Sequence, residues 1–445
     1  MARFTGRQRV FIFLFVLLAS IVLTGTVLLH PVGPHLRAMS LLLRFSDSHA
    51  QGFPTRFANH PFKEEDGYAL TPHGAVRYRT YTPLDIQNPG GVVLLHGVHH
   101  LGIEDPRMWA LARALAGAGV LVMTPELHDL ADYRVTARTI DVIGDSAVVL
   151  SARMRRRVGV LGISFAGGLA LLAANRNEFG ESIGFVVAIG AHDDMGRVAR
   201  FFAANVITGP DGSETPLQAH EYGALVLAYS HLEDFFSVAD VPIARETLRQ
   251  WLWEQPEAMK TAAALSPAGK RVLDMLLHHR DQLREPLLRE IALHKDEMDA
   301  VSPHGRLAQL QTEVFLLHGA GDTIIPSSET LWLAKEVPAT KLKASLVSPA
   351  LVHVDMGDKV TWQQQWQLVD FMAQVLDATE RLPSVISTQK ISRQSPVRRW
   401  PIHGTAILVL RYRSFAVSDP EYENILGLRA FQSRKSPRWI VVWDH

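Results

Sequence analysis

The chain has 445 residues, enough for one large domain with an insertion or for two domains. Hydrophobic residues make up 47% and charged residues 20%, and Lys plus Arg equals Asp plus Glu at 45 each. There is a core to bury and no global field pointing to nucleic acid or an acidic substrate, and the lack of cysteine excludes disulfides, thiol catalysis and cysteine metal sites.

Arg3, Arg7 and Arg9 precede an apolar run from Phe11 to Leu29. As a helix, its nineteen residues rise about 28 Å, enough to cross the hydrocarbon core. The run exceeds a signal-peptide core and no clear A-x-A site follows it. Residues 1–30 are therefore read as an uncleaved signal anchor or transmembrane helix, with a cleaved signal peptide as the alternative. The basic flank stays cytoplasmic, so the rest of the chain is expected in the periplasm or outside the cell, membrane-anchored or, after cleavage, secreted. Residues 31–70 hold Pro31, Gly33, Pro34 and Gly52-Phe53-Pro54 and are read as a linker. Its Leu41-Leu42-Leu43 lies either on the membrane surface or on the domain.

From about residue 75 a rhythm begins. Val76–Tyr81 alternates like a strand, and Val92–Leu95 is a buried strand ending in His96-Gly97. A helix is expected over 106–118, a strand over 120–124, a helix over 136–153 and a strand over 158–161. An Ala-rich helix over 167–175 and a strand over 183–189 follow. Short apolar strands alternating with helices predict a mostly parallel, doubly wound α/β sheet. The rhythm stops near Met195 and resumes near Glu313, and 196–310 is read as an inserted helical cap. Within it Ser266-Pro267 starts a helix, and Trp251 and Trp253 add large apolar groups. A strand over 314–317, a helix over 327–337, a strand over 342–347 and a closing helix over 361–376 complete the core, assigned to 71–195 and 311–382. The tail, 383–445, carries ten Lys and Arg against four Asp and Glu, with strand-like runs at Ala406–Tyr412 and Trp439–Trp443. It is either a small β element or a basic tail without fixed order.

The run Val158-Gly159-Val160-Leu161-Gly162-Ile163-Ser164-Phe165-Ala166-Gly167-Gly168 carries the chemistry. A buried strand enters a small-x-Ser-x-small turn and leaves as a helix, the pattern of a nucleophile elbow. The turn is tight enough to require small residues two before and two after the serine, here Gly162 and Ala166. It lifts the Ser164 hydroxyl above the sheet, over a helix N-terminus that favours a developing anion. Serine needs a base, and later strands supply candidates at their carboxyl ends. Leu316–Gly321 ends a strand in a Gly-rich turn bearing Asp322, and His353 follows the last strand. Asp193 and Asp194, just past the strand at 183–189, are rival acids. His318 ends a buried strand ahead of Asp322 and is read as structural, and Asp355 as a loop residue.

In this order, Ser164 then Asp322 then His353, the chain resembles the α/β-hydrolase superfamily over about 75–380, apart from the cap. The resemblance implies that His353 takes the serine proton and that Asp322 orients the imidazole. It implies an oxyanion hole from the N–H groups of Phe165 and of Val98 in the loop His96-Gly97-Val98-His99-His100. His99 and His100 either contact substrate or are polar loop residues. Adjacent histidines raise metal binding, but no second cluster at ligand spacing accompanies them in sequence, so neither metal nor cofactor is expected. No G-x-G-x-x-G or Walker A pattern occurs, and the basic tail has too few interleaved aromatics to argue for nucleic acid.

The expected activity is hydrolysis of a carboxylic ester, carboxylesterase- or lipase-like, through an acyl-enzyme on Ser164, with an apolar small-molecule acyl substrate and the membrane as partner. A peptidase or amidase, a thioesterase or an acyltransferase would use the same triad. A membrane-tethered binding protein without activity would keep only the fold.

Overall fold

The computed structural model describes residues 32–352, 355–356, 361–383, 429–432 and 439–442. The chain divides into two units, Met1–Ile386 and Ser387–His445. In the first unit the strands are β1 (Phe62–Thr71), β2 (Gly74–Pro83), β3 (Gly90–Leu95), β4 (Val120–Pro125), β5 (Val158–Ile163), β6 (Ile183–Ile189), β7 (Val206–Thr208), β8 (Glu214–Pro216), β9 (Glu313–Gly319) and β10 (Leu342–Ser348). Eight of them form one sheet in the order β1-β2-β4-β3-β5-β6-β9-β10. β2 runs antiparallel to β1 and to β4, and every pairing from β4 across to β10 is parallel. This is the mostly parallel sheet expected from the short apolar runs.

The helices are α1 (Val32–Ser46), α2 (Pro106–Gly117), α3 (Ala137–Met154), α4 (Phe165–Ala174), α5 (Met195–Ala204), α6 (Glu221–Ser230), α7 (Val241–Leu252), α8 (Pro267–His278), α9 (Arg284–Leu293), α10 (Lys295–Ala300), α11 (Ser328–Glu336) and α12 (Trp362–Arg381). Period-two alternation divides the central strands between two cores. Val93 and Leu95 face the core filled by Ile140, Ile143 and Leu150 of α3 and Leu169 of α4. Val92 and Leu94 face the opposite core, built with Leu111 and Leu115 of α2 and Phe371 and Val375 of α12. The helices between β6 and β9 bury a third cluster of their own, around Leu225, Tyr229, Leu248, Leu276 and Ile291.

Three sequence expectations change. Residues 31–70 are not a linker: they supply α1 and the edge strand β1. Pro34 falls in the first turn of α1, where its missing N–H breaks no helical bond. Ala38 and Leu41 of α1 are buried in the core shared with α2 and α12, so Leu41 packs on the domain. β1 escapes a periodicity search because it is an edge strand, exposed through Lys63–Asp66; charge there discourages edge-to-edge pairing. The region after α5 is not purely helical, because Gly209-Pro210-Asp211-Gly212 closes the hairpin of β7 and β8.

Two further pairs are short. β11 (Leu351–Val352) pairs antiparallel with β12 (Asp355–Met356), which puts the backbone of Asp355 in a strand rather than a loop. In the second unit β13 (Arg429–Gln432) pairs antiparallel with β14 (Trp439–Val442), and β14 coincides with one expected strand-like run. The other run, Ala406–Tyr412, lies outside the described residues. So does the expected anchor, 1–30. Among the described residues no helix is long and apolar enough to cross a membrane.

Leu41→Ala should lower unfolding stability by about 2–5 kcal/mol in a denaturant titration, the range for truncating a packed leucine. An unchanged midpoint would return α1 to the status of a linker.

Candidate active site

β5 ends at Ile163 and α4 begins at Phe165, leaving Ser164 as the whole connection. Its backbone is held at φ 57°, ψ −135°, a region costing a non-glycine residue roughly 1–3 kcal/mol. Two hydrogen bonds hold it there: the Ser164 N–H donates to Ile189 O at 2.7 Å, and its carbonyl accepts from Gly167 N–H at 2.9 Å. Gly162 lets the turn close, since a Cβ there would sit 2.6 Å from the Ala166 carbonyl oxygen. The small residues of the elbow are thus set by backbone approaching backbone.

The loop after β3 lies beside this turn. A Cβ on Gly97 would come within 3.1 Å of the Ser164 Cβ. His96 is buried and braces the loop: Nδ1 is 2.8 Å from Gly97 O, and Nε2 accepts from Leu127 N–H at 2.9 Å. That second bond leaves Nε2 without a proton, and burial pushes the imidazole below its ordinary range, so His96 is neutral. Tyr222 of α6 donates its hydroxyl to Val98 O at 3.1 Å, tying the loop to the cap helices. Burial pushes that phenol well above its ordinary range, which keeps it a donor.

A cavity of 260 Å³ opens over Ser164, lined also by Gly97, Val98, His99, Phe165, His220 and Tyr222. Asp105 and Arg107 share its wall and hold each other at 2.7 Å, so that wall carries no net charge. A second cavity of 200 Å³ shares Phe165 and Tyr222 with the first and runs past Met195, Phe202 and Val226 to the charged and polar side chains of Arg134, His231 and Glu297.

Val98 and Phe165, the expected oxyanion donors, both line the Ser164 cavity. His99 lines it as well; its Nδ1 accepts from Leu101 N–H at 3.3 Å, and burial lowers its pKa. His100 stacks on His99 at 4.6 Å. It stacks on Trp253 at 5.7 Å and approaches the Tyr133 hydroxyl at 3.3 Å, where Tyr133 donates to Leu252 O. It holds the loop to the cap and is absent from the cavity wall.

Asp322 is buried in the turn after β9. Its Oδ1 accepts from the N–H groups of Ile324 and Ile325 at 2.8 and 3.0 Å, which fixes the carboxylate plane. His318 sits beside it, with Nε2 2.9 Å from Ile325 O and Nδ1 2.7 Å from the Thr330 hydroxyl. Both ring nitrogens are engaged, as the structural reading of His318 expects. The rival acids have other employment. Asp193 is buried against Arg197 at 2.7 Å and His304 at 3.0 Å. Burial, with Glu329 nearby, pushes its carboxyl up to about 6 against the pull of Arg197. Asp194 caps α5 by accepting from Arg197 N–H at 2.9 Å. His353 lies outside the described residues.

Tyr222, His220 and Arg107 escaped the sequence reading. Tyr222 acts on a loop 124 residues away, and no local pattern encodes that distance. Asp105-Pro106, a cap followed by proline, did mark the helix start that places Arg107.

No family model matches the chain, and no curated protein matches it. Among solved structures it is similar to the 2,6-dihydroxy-pseudo-oxynicotine hydrolase, at 14% identity and TM-score 0.40 over 73% of this chain and 71% of that one. It is similar to a meta-cleavage product hydrolase of Pseudomonas fluorescens IP01, at 18% identity and TM-score 0.38 over 71% and 97%. An esterase of Pyrobaculum calidifontis gives 16% identity and TM-score 0.37 over 78% and 91%. At such identities and TM-scores these proteins lend the chain no activity.

Ser164→Gly should raise unfolding stability by about 1 kcal/mol, because relief of the positive φ outweighs glycine's extra chain entropy. A destabilised Ser164→Gly in denaturant titration would mean that the elbow stores no strain.

Proposed function

We propose that this chain, an α/β-hydrolase by fold, is a serine hydrolase that cleaves carboxylic esters through an acyl-enzyme on Ser164. The observation that carries the reading is the strained Ser164 backbone at the strand-to-helix junction, with its side chain on the wall of the 260 Å³ cavity. In the proposed cycle the Ser164 Oγ bonds the ester carbonyl carbon as its proton passes to His353. The oxyanion accepts hydrogen bonds from the N–H groups of Val98 and Phe165. Collapse of the intermediate expels the alkoxide, which takes the proton from His353. Water then gives a proton to His353, attacks the acyl carbon, and releases the acid and Ser164. Asp322, held by two backbone N–H groups, orients His353 in this scheme.

The self-neutralised Asp105–Arg107 wall supports a neutral substrate, and Met195, Phe202 and Val226 of the second cavity offer its acyl group an apolar contact. The volume lies at the lower end for small-molecule sites, which supports a short acyl group. The basic flank and apolar run at 1–30 support attachment to a membrane, with the catalytic unit on its outer face.

Among p-nitrophenyl esters, butyrate should turn over faster than palmitate, and Ser164→Ala and His353→Ala should lose nearly all turnover. Turnover of peptide anilides with no ester hydrolysed at any chain length would replace the esterase reading with a peptidase. Asp322→Asn should lose on the order of 100-fold or more in kcat. Activity near wild type in that variant would move the acid to Asp193 or Asp194.

A further inference from the structure

Away from Ser164, the cap helices assemble a second group of ligating side chains. His231 ends α6, Asp234 lies in the turn after it, Glu290 and His294 stand one helical turn apart at the end of α9, and Glu297 belongs to α10. His231 Nδ1 lies 2.5 Å and His294 Nε2 3.5 Å from the same oxygen, Glu290 Oε1. Asp234 Oδ2 is 2.8 Å from His294 Nε2. The two imidazoles stack with centroids 3.5 Å apart and planes 6° apart.

Glu290 is only 2% exposed, yet neither of its carboxylate oxygens makes a hydrogen bond, and neither does His231 Nδ1. The approaches are close but lack hydrogen-bond geometry. A buried carboxylate without donors is costly, and this one is aimed at two imidazole nitrogens. The outer nitrogens explain the orientation. His231 Nε2 and His294 Nδ1 lie 3.2 and 3.3 Å from the two oxygens of Glu297. With an ion bound, Glu297 accepting from both outer N–H groups would leave His231 Nδ1 and His294 Nε2 to ligate it, the ion replacing the hydrogen bond that His294 Nε2 makes to Asp234. That is the arrangement by which carboxylates orient metal-bound histidines. Without an ion, burial disfavours protonated rings but the surrounding carboxylates outweigh it and raise both imidazole pKa values.

We propose that His231 Nδ1, His294 Nε2 and Glu290 bind one divalent zinc ion. Two imidazoles and a carboxylate suit zinc, whose tetrahedral donors stand roughly 3.3 Å apart; the three donors here lie within 4.8 Å of one another, and the 2.5 Å between His231 Nδ1 and Glu290 Oε1 would open on binding. Three carboxylates and two neutral imidazoles would carry three negative charges, of which the ion offsets two. The described residues hold one other comparable cluster, Asp193, His304 and Glu336; there Arg197 already supplies the cation. The ion would be structural rather than catalytic. His231 lies nine positions after Tyr222, about 13 Å along the helix, so zinc at one end would hold the helix whose other end grips Val98.

The test uses full-length untagged protein freed of metal with EDTA, then titrated with zinc chloride against a chromogenic chelator. Wild type should take up one zinc per chain and melt at a higher temperature with zinc. His231→Gln and His294→Ala should abolish uptake, Glu297→Gln should weaken it about 10- to 100-fold, and His304→Ala should leave it unchanged. Folded wild type that binds no zinc, or uptake that persists in both His231→Gln and His294→Ala, would overturn the proposal. Turnover of esters is not needed for this readout, so its outcome stands apart from that of the esterase reading.

Discussion

Everything at the site depends on one backbone residue held where L-amino acids rarely sit. Ser164 has φ 57° because β5 must pass into α4 with no loop between them. The fold holds it there through hydrogen bonds to the Ile189 carbonyl and from the Gly167 N–H, and through a Gly162 whose missing Cβ leaves room for the Ala166 carbonyl. The same closeness governs the neighbouring loop, where Gly97 brings Val98 up to the serine. A side chain at either glycine would separate the groups that a reacting carbonyl needs together.

The helices inserted between β6 and β9 add more than a cover. They bury a core built mostly from their own side chains, which also takes in Tyr133 and packs against Val98. They meet the site through a few directed contacts: Tyr222 on Val98 O, Trp253 against His100, and Leu252 O accepting from Tyr133. These pin the His96–His100 loop from above while buried, neutral His96 pins it from below. The loop is therefore preorganised from both layers, as groups awaiting a developing charge must be. The stacked histidines at the far end of α6 extend the same logic, because what fixes that helix also fixes Tyr222.

Local features were legible in the sequence and distant ones were not. The elbow could be read because strand, small residues, serine and helix all fall within about fifteen positions. The turn bearing Asp322 could be read because it follows an apolar strand directly, and His318 could be set aside because it lies inside that strand. α1 was hidden by Gly33 and Pro34, which look like breaks but fall in the first turn of a helix, where proline is tolerated. β1 was hidden because an edge strand paired on one side keeps its charges and loses its alternation. His99 and His100 stack on each other, yet only His99 lines the cavity, because His100 continues the stack onto Trp253 of the cap. His231 and Glu290 meet only through the docking of α6 against α9, which no spacing pattern encodes.

The central claim is that Ser164 is the reactive serine, and covalent capture tests it most directly. Folded wild-type protein treated with a fluorophosphonate and then digested should show one added phosphonyl mass, on the peptide that contains Ser164. Folded protein that takes up no label, or carries it on another serine, would contradict the account.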